Sequence, residues 1–274
     1  MIICGHSHVR PVEGGWRIDI PSHVASSLNL FPGQNIFGSG EQDSLRYFLS
    51  PLKLNPHVSY FRVFLEDVMG SLATTTKMFS DRDINILNSA AFGFGNIWVS
   101  EYVADFKDVD ISPESIAADI EGLGGFVTSR EITELFPKAF SLDDSYALKE
   151  DDDGLYLVIP HLPDGLSGSD TYAVLKSWPQ VEAIFMDFIA HGTKLLKISA
   201  MIKDVPGALN KLTSLLGTQV NMHAIHGQHH EAHTGEWTIY GILEVGTLIE
   251  LKKSVDSEST ILGFKAEALG WEPT

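Results

Sequence analysis

The stretch Asp204-Val205-Pro206-Gly207-Ala208-Leu209 decides the fold, because it has an earlier counterpart in Asp67-Val68-Met69-Gly70-Ser71-Leu72. A stripe of mostly apolar residues follows each copy at one constant offset. Their spacing of three and four residues puts them on one face of a helix. The stripes consist of Leu72, Thr75, Met78 and Phe79, and of Leu209, Leu212, Leu215 and Leu216. Each copy therefore predicts a strand-to-helix turn that begins an amphipathic helix.

The segments around each motif predict the same order of elements. Before the second motif, residues 196–203 alternate between apolar and polar, as in a half-buried strand, and residues 60–65 take the same place before the first. After each helix come an Asn-containing strand, an aromatic return strand, a second helix and a last strand. This order is βαββαβ, which forms a four-stranded antiparallel sheet with both helices on one face. We predict an α+β fold with two ferredoxin-like units.

These units divide the chain into four parts. We expect each unit to follow a small β-rich module, so that the predicted domains are residues 1–58 (leader module), 59–130 (first unit), 131–193 (linker module) and 194–274 (second unit).

The duplication extends into the small modules. Gly15-Trp16-Arg17-Ile18-Asp19-Ile20-Pro21 is similar to Gly154-Leu155-Tyr156-Leu157-Val158-Ile159-Pro160. Asp43-Ser44-Leu45 is also similar to Asp170-Thr171-Tyr172, although the offset drifts. Each half of the chain is therefore interpreted as a small module followed by a βαββαβ unit.

Composition limits the classes of function. The 274 residues include 36 acidic and 19 basic side chains, which give a formal net charge of −17. This charge repels nucleic acid and anionic membranes. Cys4 is the single cysteine, so no intramolecular disulfide can form. The start of the chain does not resemble a signal peptide, and no apolar run of 18 residues exists, so we expect a cytoplasmic protein.

The repeated motif, its Leu-striped helix and the following Val220-Asn221-Met222 resemble the ACT domain family, and the first copy with Ile84-Asn85-Ile86 is similar. The resemblance covers roughly residues 58–130 and 194–270. It implies a ferredoxin-like fold, side-by-side pairing of two units, within the chain or in a homodimer, and an amino acid bound at their interface. Because no catalytic domain is recognisable, it implies a stand-alone allosteric regulator of a protein partner, without a cofactor.

The chemistry of the motif fits an amino acid. Glycine allows a tight turn, the free N–H groups of the helix start favour a carboxylate, and Asp suits an ammonium group. Asn offers a donor and an acceptor, and we expect it to lie near the loop. Alternatively, Asp only caps the helix and Gly only turns the chain. The candidate ligand-binding residues are Asp67, Val68, Met69, Gly70, Ser71, Asn85, Asp204, Val205, Pro206, Gly207, Ala208 and Asn221.

A second resemblance points to another function. Residues 15–21 followed by residues 28–34 resemble the swapped-hairpin (AbrB-type) DNA-binding fold, which implies a transcriptional regulator. In the leader module, however, basic and acidic residues balance: Arg10, Arg17, Arg46 and Lys53 against Glu13, Asp19, Glu41 and Asp43. A neutral surface releases few counterions from DNA. We therefore expect no nucleic-acid partner.

Metal and catalytic sites are the remaining alternatives. Five histidines fall within eleven residues of the predicted second-unit hairpin: His223, His226, His229, His230 and His233. Histidine binds zinc, copper or nickel, but no cysteine joins these residues and their spacing matches no standard structural site. We expect a polar hairpin tip and no metal. No nucleophile with its base is recognisable, and an enzyme with a site in residues 131–193 stays as the third hypothesis.

Overall fold

The computed structural model describes residues 2–40, 45–131, 144–163, 166, 171–190, 192–230 and 233–271. Within these ranges the chain combines short helices with antiparallel sheets, in agreement with the α+β prediction. No helix in the described ranges is long and apolar enough to cross a bilayer.

The described part of the first half contains eight strands and three helices. They are β1 (Ile3–Val12), β2 (Gly15–Asp19), α1 (Ser22–Ser27), β3 (Asn35–Gly40), β4 (Arg46–Ser50), β5 (Val58–Glu66), α2 (Ser71–Ser80), β6 (Asn85–Phe94), β7 (Ile97–Asp105), α3 (Pro113–Gly122) and β8 (Phe126–Glu131).

The second half follows the same general order. Its described elements are β9 (Asp144–Ala147), β10 (Lys149–Asp151), β11 (Gly154–Ile159), β12 (Thr171–Trp178), a 3₁₀ turn (Pro179–Val181), β13 (Ala183–Ile189), β14 (Leu195–Lys203), α4 (Ala208–Gly217), β15 (Val220–His230), β16 (Thr234–Leu243), α5 (Leu248–Asp256) and β17 (Ile261–Leu269).

The largest sheet has nine strands in the order β10-β11-β2-β1-β12-β13-β4-β3-β9. Its two end strands, β9 and β10, are separated in sequence only by Leu148. The backbone N–H of Leu148 donates to Gln34 O, and the N–H of Gly33 donates to Leu148 O. The sheet therefore closes on itself, and we call it the closed sheet. Its strands come from residues 1–58 and 131–193, which the sequence treats as two separate modules.

The interior of the closed sheet holds the largest apolar core found among the described residues. Aliphatic and aromatic side chains from strands of both halves meet there, including Val9, Ile18, Ile36, Leu49, Leu157, Leu175, Met186 and Phe188. Helix α1 adds Val24 and Ala25 to the same core. Burial of these side chains, each contributing about 1.5–3 kcal/mol, stabilises the association of the two halves.

A local two-fold symmetry relates the halves of the closed sheet. Strands β2 and β11 carry the two similar Gly-to-Pro stretches and pair with each other, with Ile18 opposite Leu157. Strands β4 and β13 also pair, with Phe48 opposite Phe185. The similarity between residues 43–45 and 170–172 lies largely outside the described residues.

Two four-stranded sheets complete the fold, with the orders β6-β7-β5-β8 and β15-β16-β14-β17. Two helices cover one face of each sheet. In the first sheet, Phe79, Ile116 and Ile120 pack against strand residues, and in the second Leu212, Leu216, Leu251 and Val255 do so. The edge strands β6 and β15 each contain a register shift, at Ile86/Asn88 and at Met222/Ala224. We call these parts the first unit (58–131) and the second unit (195–269).

Both units pack on the outside of the closed sheet through the face that carries no helix. Val58 and Val103 of the first unit belong to an apolar cluster with Phe48 and Ala183 of the closed sheet. A second cluster joins the second unit to the closed sheet, and it contains Leu195, Ala224, Tyr240, Cys4, Val174 and Ile189. The closed sheet therefore carries both units.

The pairing of β2 with β11 gives a prediction with a matched control. Gly15 has a φ of +145°, and a Cβ there would lie 2.1 Å from Ile159 O. Gly154 takes the same place in the second stretch, has a φ of +111°, and would meet nothing within 4 Å. We expect Gly154→Ala to lower the free energy of unfolding by about 1–2 kcal/mol, and Gly15→Ala to lower it by roughly 2 kcal/mol more. Urea denaturation measures both, and equal losses would contradict the close approach.

Candidate functional site

The first predicted loop lies at the end of β5 and begins helix α2. Gly70 has a φ of +97° and is the N-cap residue, so the cap has no side chain to bind the first N–H groups of the helix. Met69 is fully exposed. Ser71 is buried, and its hydroxyl lies 2.8 Å from Glu66 O and 2.9 Å from Val68 O. The loop thus presents backbone N–H groups, while the hydroxyl of Ser71 is occupied within the loop.

The second loop has the same geometry. Gly207 has a φ of +87° and is the N-cap of α4. Val205 and Pro206 are exposed, whereas Ala208 is buried and its N–H donates to Val205 O. The N–H of Asp204 donates to His233 O, which fastens the loop to the start of β16.

The two candidate asparagines do not lie near the loops of their own units. Asn85 is opposite Asp105, which is opposite Val58 at the start of β5, whereas the loop follows the end of β5. Asn221 is similarly opposite Ile242, which is opposite Leu195. The prediction that each Asn lies near the loop of its own unit is wrong. A β-α-β connection returns the chain to the end of the sheet where the first strand began, whereas the loop lies at the other end. About eight strand residues, or roughly 26 Å, separate each Asn from its loop.

An apolar row crosses the helix-free face of the first unit near its loop. Phe92 is opposite Val99, Val99 is opposite Phe64, and Phe64 is opposite Phe126. The ring centroids of Phe64 and Phe126 lie 5.9 Å apart, and Phe92 and Phe126 are more than half exposed. Met69 is also exposed at this end of the unit. Exposed apolar surface of this kind is typical of an interaction site.

The three arginines of the leader module are engaged in ion pairs. Arg10 lies 2.6 Å from Asp19, and Arg17 contacts both Asp19 and Asp151. Hydrogen bonding to Asp151 raises the pKa of Arg17 further. Arg46 lies 3.6 Å from Asp187. These contacts leave little positive charge to bind phosphate groups, which argues against the DNA-reading hypothesis.

The histidines of the second unit are arranged differently from the predicted hairpin tip. Strand β15 continues to His230, so His223 and His226 lie within the strand. His223 Nδ1 lies 3.3 Å from the carboxylate of Asp187 in β13. Residues 231–232 and the side chains of His229 and His230 are outside the described part. Elsewhere in the described part, no three His, Cys, Asp or Glu side chains are placed to share a metal ion.

His226 belongs instead to the contact between the second unit and the closed sheet. Burial lowers the pKa of His226, and positive charge on His23 and Lys197 lowers it further. Burial is also the main cause of the lowered pKa of His6, whose Nδ1 lies 3.2 Å from Tyr240 Oη. These residues come from distant segments, and no sequence pattern indicated that they would meet.

Cys4 lies in the same contact and does not resemble a catalytic nucleophile. Its side chain is buried, and burial raises the pKa of the thiol to about 11. His23 Nε2 contacts the backbone oxygen of Cys4 at 2.9 Å. The thiol therefore stays protonated near neutral pH and packs as a small apolar group.

Comparisons with known proteins find no matching family model and no matching curated protein. Solved structures give low similarity. A protein of unknown function from Galdieria sulphuraria shares 10% identity over 77% of this chain and 98% of its own, with a TM-score of 0.33. A structure described as a glycine cleavage system transcriptional repressor shares 12% identity over 77% of this chain and 97% of its own, with a TM-score of 0.28.

A prephenate dehydratase from Staphylococcus aureus subsp. aureus Mu50 shares 12% identity over 98% of this chain and 82% of its own, with a TM-score of 0.25. These scores are too low to assign a family or a function. The functional proposal therefore rests on the residues of this chain.

The half-buried His6 and His226 predict how stability depends on pH. Because their folded-state pKa values lie below the unfolded value of about 6.5, the unfolded chain binds more protons, and stability falls as pH drops through that value. Between about pH 7.5 and 5.5, we expect the melting temperature of the double variant His6→Gln/His226→Gln to fall less than that of the wild type. The difference between the two falls should be roughly 2 °C or more. The exposed His57→Gln variant is the control. Identical pH profiles for wild type and double variant would refute the assignment.

Proposed function

We propose that this chain is an amino-acid-binding regulatory protein in which two ACT-like ferredoxin units transmit the binding of a small metabolite to a partner. The observation that carries the proposal is the repeated strand–glycine–helix turn. In both units a left-handed glycine follows the first strand and starts a ten-residue helix. The same sheet order in both units supports a duplicated architecture.

The two loops offer the chemistry that an amino acid needs. The N–H groups at the start of a helix favour a carboxylate through hydrogen bonds and the helix dipole. An Asp, Asp67 or Asp204, lies three residues before each glycine, and its carboxylate is the proposed contact of the ammonium group. The exposed neighbours Val68, Met69 and Val205 leave each loop accessible to a ligand.

Each candidate asparagine can contact such a loop only if the loop belongs to another unit. Since Asn85 and Asn221 lie at the far ends of their own units, we propose that a neighbouring unit in antiparallel orientation brings an Asn to each loop. The two four-stranded sheets are separate within one chain. A second copy of the chain is therefore the proposed neighbour, and the exposed row of Phe92, Val99, Phe64 and Phe126 supports contact with another molecule.

Regulation would follow from the way in which the units pack on the closed sheet. Each unit rests on the closed sheet through its own apolar cluster. A ligand that binds one packing arrangement more tightly than another shifts the population toward it. Such a shift couples the ligand to whatever partner contacts the units or the closed sheet.

Two other functions have less support. A DNA-binding role for the leader module conflicts with the ion pairs of Arg10, Arg17 and Arg46. An enzymatic role for residues 131–193 stays a hypothesis from the sequence, and Cys4, which is opposite Lys176 of that segment, is a buried thiol.

Loop variants test the proposed site. We expect Asp204→Ala to weaken amino-acid binding by about 1–3 kcal/mol, because a charge-assisted hydrogen bond to the ammonium group is lost. Asn221→Ala should weaken binding in the same assay, and both proteins should stay folded because these positions are exposed. Isothermal titration calorimetry on the full-length chain measures the affinities. Asp108→Ala, an exposed carboxylate at the opposite end of the first unit, is the matched control.

Asp67→Ala asks the same question of the first loop. If Asp204→Ala, Asn221→Ala and Asp67→Ala all bind the amino acid as tightly as the wild type, the loops are not the site.

A further inference from the structure

A polar cavity of about 230 Å³ lies between the first unit and the closed sheet. One wall is the helix-free face of the first unit, where Asn88 on β6 and Glu101 on β7 line the space. The other wall is formed by Asn29 after α1 and by Gln180 and Glu182 at the 3₁₀ turn. The cavity is at some distance along the sheet from the glycine loop, because Asn88 lies near the start of β6.

Hydrogen bonds hold the turn that carries Glu182 in a fixed shape. Glu182 has a φ of +51°, a left-handed conformation that is uncommon for a residue with a side chain. Its N–H donates to Pro179 O, and its carbonyl accepts from the hydroxyl of Ser50 at 2.6 Å. The amide of Asn88 donates to Glu182 Oε1 at 2.9 Å across the cavity wall. The surroundings thus maintain a strained conformation that aims this carboxylate toward the first unit.

The polar groups of the cavity are only partly satisfied. Glu101 Oε1 accepts from Tyr60 Oη at 2.8 Å and from Arg62 Nε at 2.7 Å, so its charge is balanced. Among the described residues, Glu182 has Asn88 as its side-chain hydrogen-bond donor and forms no ion pair, and burial raises its pKa. In the same ranges Gln180 Oε1 is buried and has no hydrogen-bond partner, whereas Asn29 is exposed to solvent. A buried acceptor such as Gln180 Oε1 is costly to leave unpaired.

We propose that this cavity is a further ligand site, distinct from the glycine loops, and that it binds a small molecule with a primary ammonium group. The ammonium group donates to the free oxygen of Glu182 and to the amide oxygen of Asn88. The amides of Asn29 and Gln180, once turned toward the ligand, donate to its hydroxyl or carboxylate end. The volume is below the roughly 300–1,000 Å³ of drug-sized sites and suits a small metabolite.

Other ligand classes fit the lining less well. An inorganic anion would meet two carboxylates, and Arg62 already bonds to Glu101. An apolar ligand would leave Gln180 Oε1 buried without a partner and would bring no positive charge to the half-buried carboxylate of Glu182. The proposal is independent of the loop sites, so either can fail alone.

Three probes that differ only in their charged groups test the ligand class. L-serine carries an ammonium and a carboxylate group, ethanolamine lacks the carboxylate, and 3-hydroxypropionate lacks the ammonium group. The side-chain NH₂ signals of Asn29, Asn88 and Gln180 are followed by NMR on the ¹⁵N-labelled full chain. We expect saturable shifts with L-serine and ethanolamine at concentrations up to about 10 mM, and none with 3-hydroxypropionate.

Two variants and one control locate the binding. Glu182→Gln keeps the shape and removes the charge, and it should weaken ethanolamine binding about ten- to hundredfold. Ala90→Phe places a ring in the cavity from an exposed strand position and should abolish the shifts without touching any of the hydrogen bonds above. Glu13→Gln, an exposed carboxylate at the β1–β2 turn, should bind like the wild type.

Three results would overturn the proposal: no shift with either ammonium compound, equal shifts with 3-hydroxypropionate, or unchanged binding in both Glu182→Gln and Ala90→Phe. Shifts confined to the backbone signals of residues 204–208 would remove this site and leave the loop proposal intact. Shifts confined to the side-chain amides of the cavity would support this site and contradict the loop proposal.

Discussion

Pairing between the two halves of the chain, at β2–β11 and at β4–β13, closes the central sheet that supports both four-stranded units. Without these two ladders the nine-stranded sheet would have open edges with unpaired N–H and C=O groups. With them, residues such as Ile18, Leu157, Leu49 and Ile184 enclose one core. Both four-stranded sheets then pack on the outside of the closed sheet. A conformational change in either unit therefore acts on the same closed sheet.

The parts of the fold that depend on local spacing could be predicted from the sequence. The helix stripes place Thr75 and Phe79, and Leu212 and Leu216, on buried faces, because a period of 3.6 residues is visible within ten positions. The glycines at 70 and 207 are recognisable because a left-handed turn between a strand and a helix favours glycine. The closed sheet escaped prediction because its pairings join residues that are far apart in sequence.

The candidate sites also divide into those that local sequence predicts and those that depend on distant contacts. The loop residues at 67–71 and 204–208 were found because one short motif contains their chemistry. The position of Asn221 was misjudged because the motif does not reveal at which end of the sheet a strand begins. The cavity around Glu182 was not found at all. Its residues come from α1, the first unit and the 3₁₀ turn, and each is ordinary in its own segment.

The central claim is that an amino acid binds the folded chain and stabilises it. Its most direct test is the melting temperature of the full-length protein with each of the twenty common amino acids. Ligand at about 100 times its dissociation constant adds about 2.7 kcal/mol to the stability of the native state. We expect a concentration-dependent rise in melting temperature with at least one amino acid. No rise with any of the twenty, at concentrations up to about 10 mM, would contradict it.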